Sequence, residues 1–378
     1  MPFDLPAGDP RSLGLDPVAL NRLIETIEKQ IDAGWYPGCE IAIARNGRFA
    51  LSRHFGNART VPQPIRADER TLWLLYSNTK VITAAALWQL VERGKLRFTD
   101  TVAEHLPGFA RNGKRDITVL QVITHQGGFP DGSFPPDSWL DMEKRREAAA
   151  NVTLQWTPGS QVSYHPLAAH WVIAALIEAV TGRDFKDVIR EELLEPLGLG
   201  DQIYVGLPDA EHGRAVDMHT PEGEDPCKLI PLKDSNNSLW RRAGAPGAGG
   251  YATARAMATF YQMLLAGGSL NGTRVLSPAV IRHATQNFTG DRPDLYMGMP
   301  MHRGLGPHSR GTTPTIRGLG SLATPETFGH GGVGSSYCWA DPRSGVSFAY
   351  LTNARQPDPW HSQRLDTISN FVHAAIVG

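Results

Sequence analysis

Cysteine is nearly missing from this chain: Cys39, Cys227 and Cys338 are the only three in 378 residues. An odd count with no CxxC builds no disulfide framework, and the spacing matches no zinc pattern. Net charge is nearly missing too. Lys and Arg (37) offset Asp and Glu (38), leaving a formal −1. No basic cluster stands out, which removes any electrostatic pull toward nucleic acid or an anionic membrane. No apolar run reaches the ~20 residues of a membrane span. The opening stretch lacks the basic-then-apolar order of a signal peptide. A cytoplasmic protein is therefore expected. GxGxxG, P-loop and HExxH motifs are absent, and His165 and His170, five apart, share no helix face. GxSxG is absent as well, which excludes a nucleophile elbow of the α/β-hydrolase type. No metal, cofactor, nucleic-acid or membrane partner is expected, and oligomeric state is left open.

What is present is an ordinary globular composition, 41% apolar and 20% charged, with length enough for one large or two interleaved domains. Pro17 to Ala33 has helical apolar spacing. Cys39–Arg45 and Arg48–His54 read as strands joined by the two-residue turn Asn46-Gly47. Ser77 to Arg93 reads as a helix apolar all round, hence buried. Residues 100 to about 235 are helical and loop-rich, with a strong helix over Leu167–Val180. Strands return at Glu326–His330, Ser335–Ala340 and Val346–Thr352, and Trp360–Ile376 closes as a helix. The long Gly- and Pro-rich stretch 290–327 reads either as a lid or as an unstructured excursion. These patterns predict an α+β fold: an antiparallel sheet covered by the terminal helices, with a helical insertion. The expected division is 1–99 with 241–378 for the sheet and 100–240 for the helices, with a site at their interface.

Three motifs carry chemistry. In Ser77-Asn78-Thr79-Lys80 the serine and lysine lie one helical turn apart on one face. A lysine held against low-dielectric surroundings loses its proton more easily and can then deprotonate a serine. Tyr164 stands on a loop where a helix begins. It is either a rim or core tyrosine or a proton relay whose pKa a neighbouring ammonium would lower. Gly329-His330-Gly331-Gly332-Val333-Gly334 places bare glycines in a strand context. It is either a flexible turn or a close approach of backbone to ligand.

Taken together, SxxK, PGxxxxY before a helix, and HGG in a C-terminal strand resemble the serine β-lactamase and penicillin-binding-protein-like superfamily. Within it the chain is most similar to the class C β-lactamase-like branch, which holds family VIII carboxylesterases, D-aminopeptidases, D,D-peptidases and amide hydrolases of nylon-oligomer type. Val122-Ile123-Thr124-His125-Gln126-Gly127-Gly128 is similar to the branch's LLTHTSG segment. The Gly247-to-Phe260 segment (GAGGYATARAMATF) is similar to its GGLxSTxxDMxxF segment.

The resemblance implies a β-lactamase/transpeptidase-like fold with Ser77 as acyl-accepting nucleophile and Lys80 and Tyr164 as its proton relays, in an order left open. It implies an oxyanion hole from the backbone N–H groups of Ser77 and Val333. His330, Gly331 and Gly332 occupy the place of the family's Lys-Thr-Gly strand and would bind substrate. Two departures stand out. Pro166 replaces an Asn two residues after the tyrosine, so amide contacts to substrate would fall to His165. His330 replaces a permanently charged lysine, which disfavours substrates held by a carboxylate. Among the loop aromatics Trp156, Trp240, Tyr251 and Tyr296, core or rim packing competes with lining an acyl pocket; Trp240 and Tyr251 are the candidates for the second role. The expected activity is a serine hydrolase acting through an acyl-enzyme on small or medium esters. The alternatives are an amidase, D-amino-acid peptidase or weak β-lactamase, and a sensor module that stays acylated.

Overall fold

The computed structural model describes residues 3–315 and 318–377. Helix α1 (Pro17–Asp32) starts where Asp16 caps it, its Oδ1 accepting from the Val18 N–H at 2.9 Å, with Pro17 at the first helical position. Strands β1 (Gly38–Arg45) and β2 (Arg48–Arg59) form a hairpin through Asn46 and Gly47. Both turn residues have positive φ, as a two-residue type I′ turn requires. The short β3 (Ile65–Arg66) pairs with the end of β2.

Three helices matter for the site. They are α2 (Thr79–Glu92), α3 (Ala168–Thr181) and α4 (Ala254–Leu265). Strands β4 (His308–Ser309), β5 (Phe328–Gly332), β6 (Ser336–Asp341) and β7 (Val346–Thr352) then complete the sheet, and α5 (Trp360–Ala374) follows. The sheet order is β4-β5-β6-β7-β1-β2-β3, antiparallel throughout. The N-terminal hairpin joins the C-terminal meander at β1–β7, where Cys39 faces Thr352 and Arg45 faces Val346.

β1 is buried on both faces, and its two-residue period divides the work. Cys39, Ile41 and Ile43 enter the core beneath α1 and α5, with Leu23, Ile27, Leu365 and Ile368. Ala42 and Ala44 face a larger core that runs through α2, α3 and α4. Their small side chains let α4 lie across β1, β6 and β7. α2 is buried from Thr79 to Leu90 and packs on α3. No helix among the described residues is long and apolar enough to cross a membrane.

The expected C-terminal strands appear as β5, β6 and β7, displaced by at most two residues. Of the two sequence readings of the stretch 290–327, the structure excludes one. The stretch is not an unstructured excursion: Pro293–Asp294 pairs with Met299–Pro300, and β4 adds an edge strand to β5. Residues 316 and 317 of that stretch lie outside the described residues.

Candidate active site

Ser77 lies in a tight turn, Tyr76–Asn78, that leads into α2. Tyr76 has φ of 44°, a left-handed conformation that is strained for an aromatic residue. The surroundings hold it there. Thr79 Oγ1 donates to the Tyr76 carbonyl at 2.6 Å and accepts from the Gly250 N–H at 2.9 Å. Asn78 Nδ2 donates to the Leu75 carbonyl and to Ser336 Oγ, while Asn78 Oδ1 accepts from the Cys338 N–H. The turn is thereby stitched to β6.

Lys80 is fully buried, one turn further along. Its Nζ lies 3.1 Å from Ser77 Oγ and donates to the carbonyls of Pro166 (2.7 Å) and Gly247 (2.8 Å). Pro166 thus contributes its backbone oxygen where it has no side-chain amide. Burial first, and the Arg303 guanidinium second, push the Lys80 ammonium well below the usual lysine range.

The Tyr164 hydroxyl donates to Ser77 Oγ at 2.8 Å. Two nitrogen groups flank its ring: Lys80 Nζ lies 4.9 Å and the Arg303 guanidinium, a permanent cation, 4.6 Å from the centroid. Asp294 fixes both sides of this arrangement. Its Oδ1 accepts from the Tyr164 N–H at 3.0 Å, and its Oδ2 pairs with Arg303 at 2.7 Å. Asp294 and Arg303 are both buried. The sequence reading expected a neighbouring cation to lower the phenol's pKa. Instead burial raises it above the ordinary tyrosine value, outweighing the opposing pull of Arg303.

Behind Tyr164 and Lys80 sit His125, His165 and His170, all buried. Burial is the largest cause that lowers each of them, His165 to about 4, so they stand neutral near pH 7. His330, on β5, is 4% exposed. Its Nδ1 bonds the Gly331 carbonyl at 2.9 Å, and its Nε2 has no partner among the described residues. Burial, then Lys80 and Arg303, hold it well below the ordinary histidine range.

These groups open onto a cleft of about 520 Å³. Ser77, Tyr164, His330, Gly331, Gly332 and Val333 line it, as does Trp240. His165 and Tyr251 do not. His165 Nδ1–H donates to the Ser163 carbonyl and its Nε2 accepts from the Phe129 N–H, so both ring nitrogens are used internally. Tyr251 pairs through its backbone with Leu74 and turns its phenol inward toward Ser235, 1% exposed. Both are corrected from substrate contacts to supports. The sequence reading missed Asp294, Arg303, Met297, Met299 and Met301, which form a wall of the cleft or brace it from the stretch 290–327. A buried opposite-charge pair nine residues apart in a loop leaves no periodic signal to find it by. Among the described residues one group of side chains could hold a cation, Asp100 with Glu104 and His105, outside the cleft lining. Asp100 there is already bonded to Arg97 and His105.

A sequence model of the Beta-lactamase family matches residues 23–369. The chain is 30% identical over 333 residues to the Esterase/beta-lactamase LipL of Mycobacterium tuberculosis, spanning 81% of this chain and 72% of that protein. Among solved structures, a penicillin-binding protein homologue from Caulobacter crescentus superposes with a TM-score of 0.81 at 30% identity, covering 96% of this chain and 99% of its own. A family VIII carboxylesterase superposes with a TM-score of 0.79 at 26% identity, covering 94% and 98%.

Proposed function

The chain belongs to the Beta-lactamase family, and on that premise we propose that it is a carboxylesterase for small or medium esters, working through an acyl-enzyme on Ser77. Kinship makes it a serine hydrolase; the ester preference is our reading. The observation that carries it is that Lys80 Nζ and the Tyr164 hydroxyl converge on one oxygen, Ser77 Oγ, at 3.1 and 2.8 Å.

A neutral amine has two N–H donors and one lone pair. The Pro166 and Gly247 carbonyls take the two donors, so the lone pair faces Ser77 Oγ. Lys80 is then the base: it accepts the serine proton as Oγ forms its bond to the substrate carbonyl carbon. The oxyanion is held by the N–H groups of Ser77 and Val333. Tyr164, whose raised pKa keeps it protonated, gives its proton to the departing alkoxide as the ester C–O bond breaks. The proton on Lys80 returns to the Tyr164 oxygen. Water then attacks the acyl carbon, loses a proton through the same relay, and Ser77 is restored as the acid leaves.

The ester preference is supported by the neutral His330, which supplies no cation for a substrate carboxylate, and by the three methionines that give the cleft an apolar wall. Intact-mass spectrometry with a fluorophosphonate probe is the test of the nucleophile. One adduct on the wild type and none on Ser77→Ala is expected; an adduct surviving in the variant refutes the assignment. A second reading, amide, D-amino-acid peptide or weak β-lactam hydrolysis, is favoured by similarity to a protein named both esterase and beta-lactamase. Turnover of p-nitrophenyl butyrate against a D-amino-acid anilide and nitrocefin decides between them.

A further inference from the structure

Building on the serine-hydrolase reading, we propose that His330 selects acyl groups carrying an uncharged hydrogen-bond donor, a hydroxyl or an amide N–H, near the scissile carbonyl. A backbone carbonyl can only accept, so the bond to the Gly331 oxygen at 2.9 Å places the ring proton on Nδ1. The opposite nitrogen, Nε2, is then a bare lone pair. It belongs to a ring 4% exposed that lines the cleft, and it finds no partner among the described residues.

Its position ties it to the reacting atoms. His330 immediately precedes the Gly331-Gly332-Val333 edge on the cleft. Its ring lies 6.1 Å from that of Tyr164, whose hydroxyl bonds Ser77 Oγ. The titratable groups that face the ring are Tyr164, His308, Lys80, Arg303 and His170. Burial first, and the Arg303 guanidinium with it, oppose a second proton on His330, and His308 already bonds the Tyr337 hydroxyl through Nε2. The ring therefore stays an acceptor. Where a lysine would offer donors to a carboxylate, this position offers a lone pair, and a carboxylate has no hydrogen to give it. A buried acceptor left unmet by the substrate costs binding, which is how a polar site rejects a ligand that lacks the matching group. Trp240 also lines the cleft, and its indole N–H is buried with no partner among the described residues.

The test uses matched p-nitrophenyl esters on the full chain: 3-hydroxybutyrate against 3-methoxybutyrate, N-acetylglycinate against N-acetylsarcosinate, and hemisuccinate as the carboxylate arm. The capped member of each pair keeps the shape and loses the donor. We expect kcat/KM to favour the donor by about tenfold in at least one pair, which identifies the donor type, and the hemisuccinate to be slowest. His330→Leu erases the ratio within the pair, and His330→Gln, which keeps an acceptor oxygen, retains it. Ratios near one in the wild type, a ratio that survives His330→Leu, or hemisuccinate as the best substrate would overturn the inference. The wild-type ratios decide even where a variant fails to fold. Failure of the underlying reading looks different: no ester is turned over and no fluorophosphonate adduct forms, and both conclusions fall together.

Discussion

At the scale of single residues, the Ser77–Lys80–Tyr164 cluster depends on charge states that burial sets. Lys80→Met removes the proposed base and is expected to lower kcat/KM by about 10³, and Tyr164→Phe by about 10², with circular dichroism confirming the fold. Arg303 offers a finer probe. It is a cause of the low Lys80 pKa, second to burial. A base works when deprotonated, so activity rises with pH through that pKa. Taking away the nearby positive charge lets Lys80 keep its proton to higher pH. Arg303→Met therefore moves the acidic limb of the kcat/KM profile upward, and Arg303→Lys, which keeps the charge, moves it less. An unmoved limb in Arg303→Met would show that burial alone sets Lys80. Ser77 and Lys80 were legible in the sequence because their chemistry fixes a spacing of one helical turn; Tyr164 was singled out by the PGxxxxY resemblance, not by spacing to them. Arg303 was not, because its partners Asp294 and Tyr164 reach it through folding alone.

At the scale of elements, the nucleophile turn and β5 are one unit. A Cβ at Gly332 would stand 2.6 Å from the Leu75 carbonyl oxygen and 2.4 Å from Ser336 Oγ. Gly332→Ala must therefore push β5 off the turn. We expect at least a tenfold loss of hydrolytic activity and a Tm lower by several degrees, measured on the same preparation. The strands themselves could be read closely, since β1, β6 and β7 carry strand-forming apolar runs between clear turns. The stretch 290–327 could not. Its strands are two residues long, too short to show a period, and its glycines and prolines read as breakers. Asn78 was also hidden, because a buried asparagine that bonds a strand 260 residues away resembles any helix-start polar residue.

At the scale of the whole molecule, Glu40 on β1 couples stability to pH. Its carboxylate is buried and accepts from Trp73 Nε1 at 2.7 Å, and burial pushes its pKa up from 4.5 to about 8. Between those values the folded chain holds a proton that the unfolded chain has released. Stability therefore falls as pH rises through this window, by up to about 1.4 kcal/mol per pH unit. Glu40→Gln should flatten the slope in urea melts at pH 5, 7 and 9; an unchanged slope would assign it to other groups. The junction of β1 with β7 carries a further consequence. A ribosome making this chain extrudes Ser77, Lys80 and Tyr164 long before β5 and β7 exist. The β1 edge waits from residue 39 until residue 352 is translated. Assembly of the site therefore waits on the translation of β5 and β7, and a nascent chain stalled short of β5 lacks the strand that lines the cleft beside Ser77.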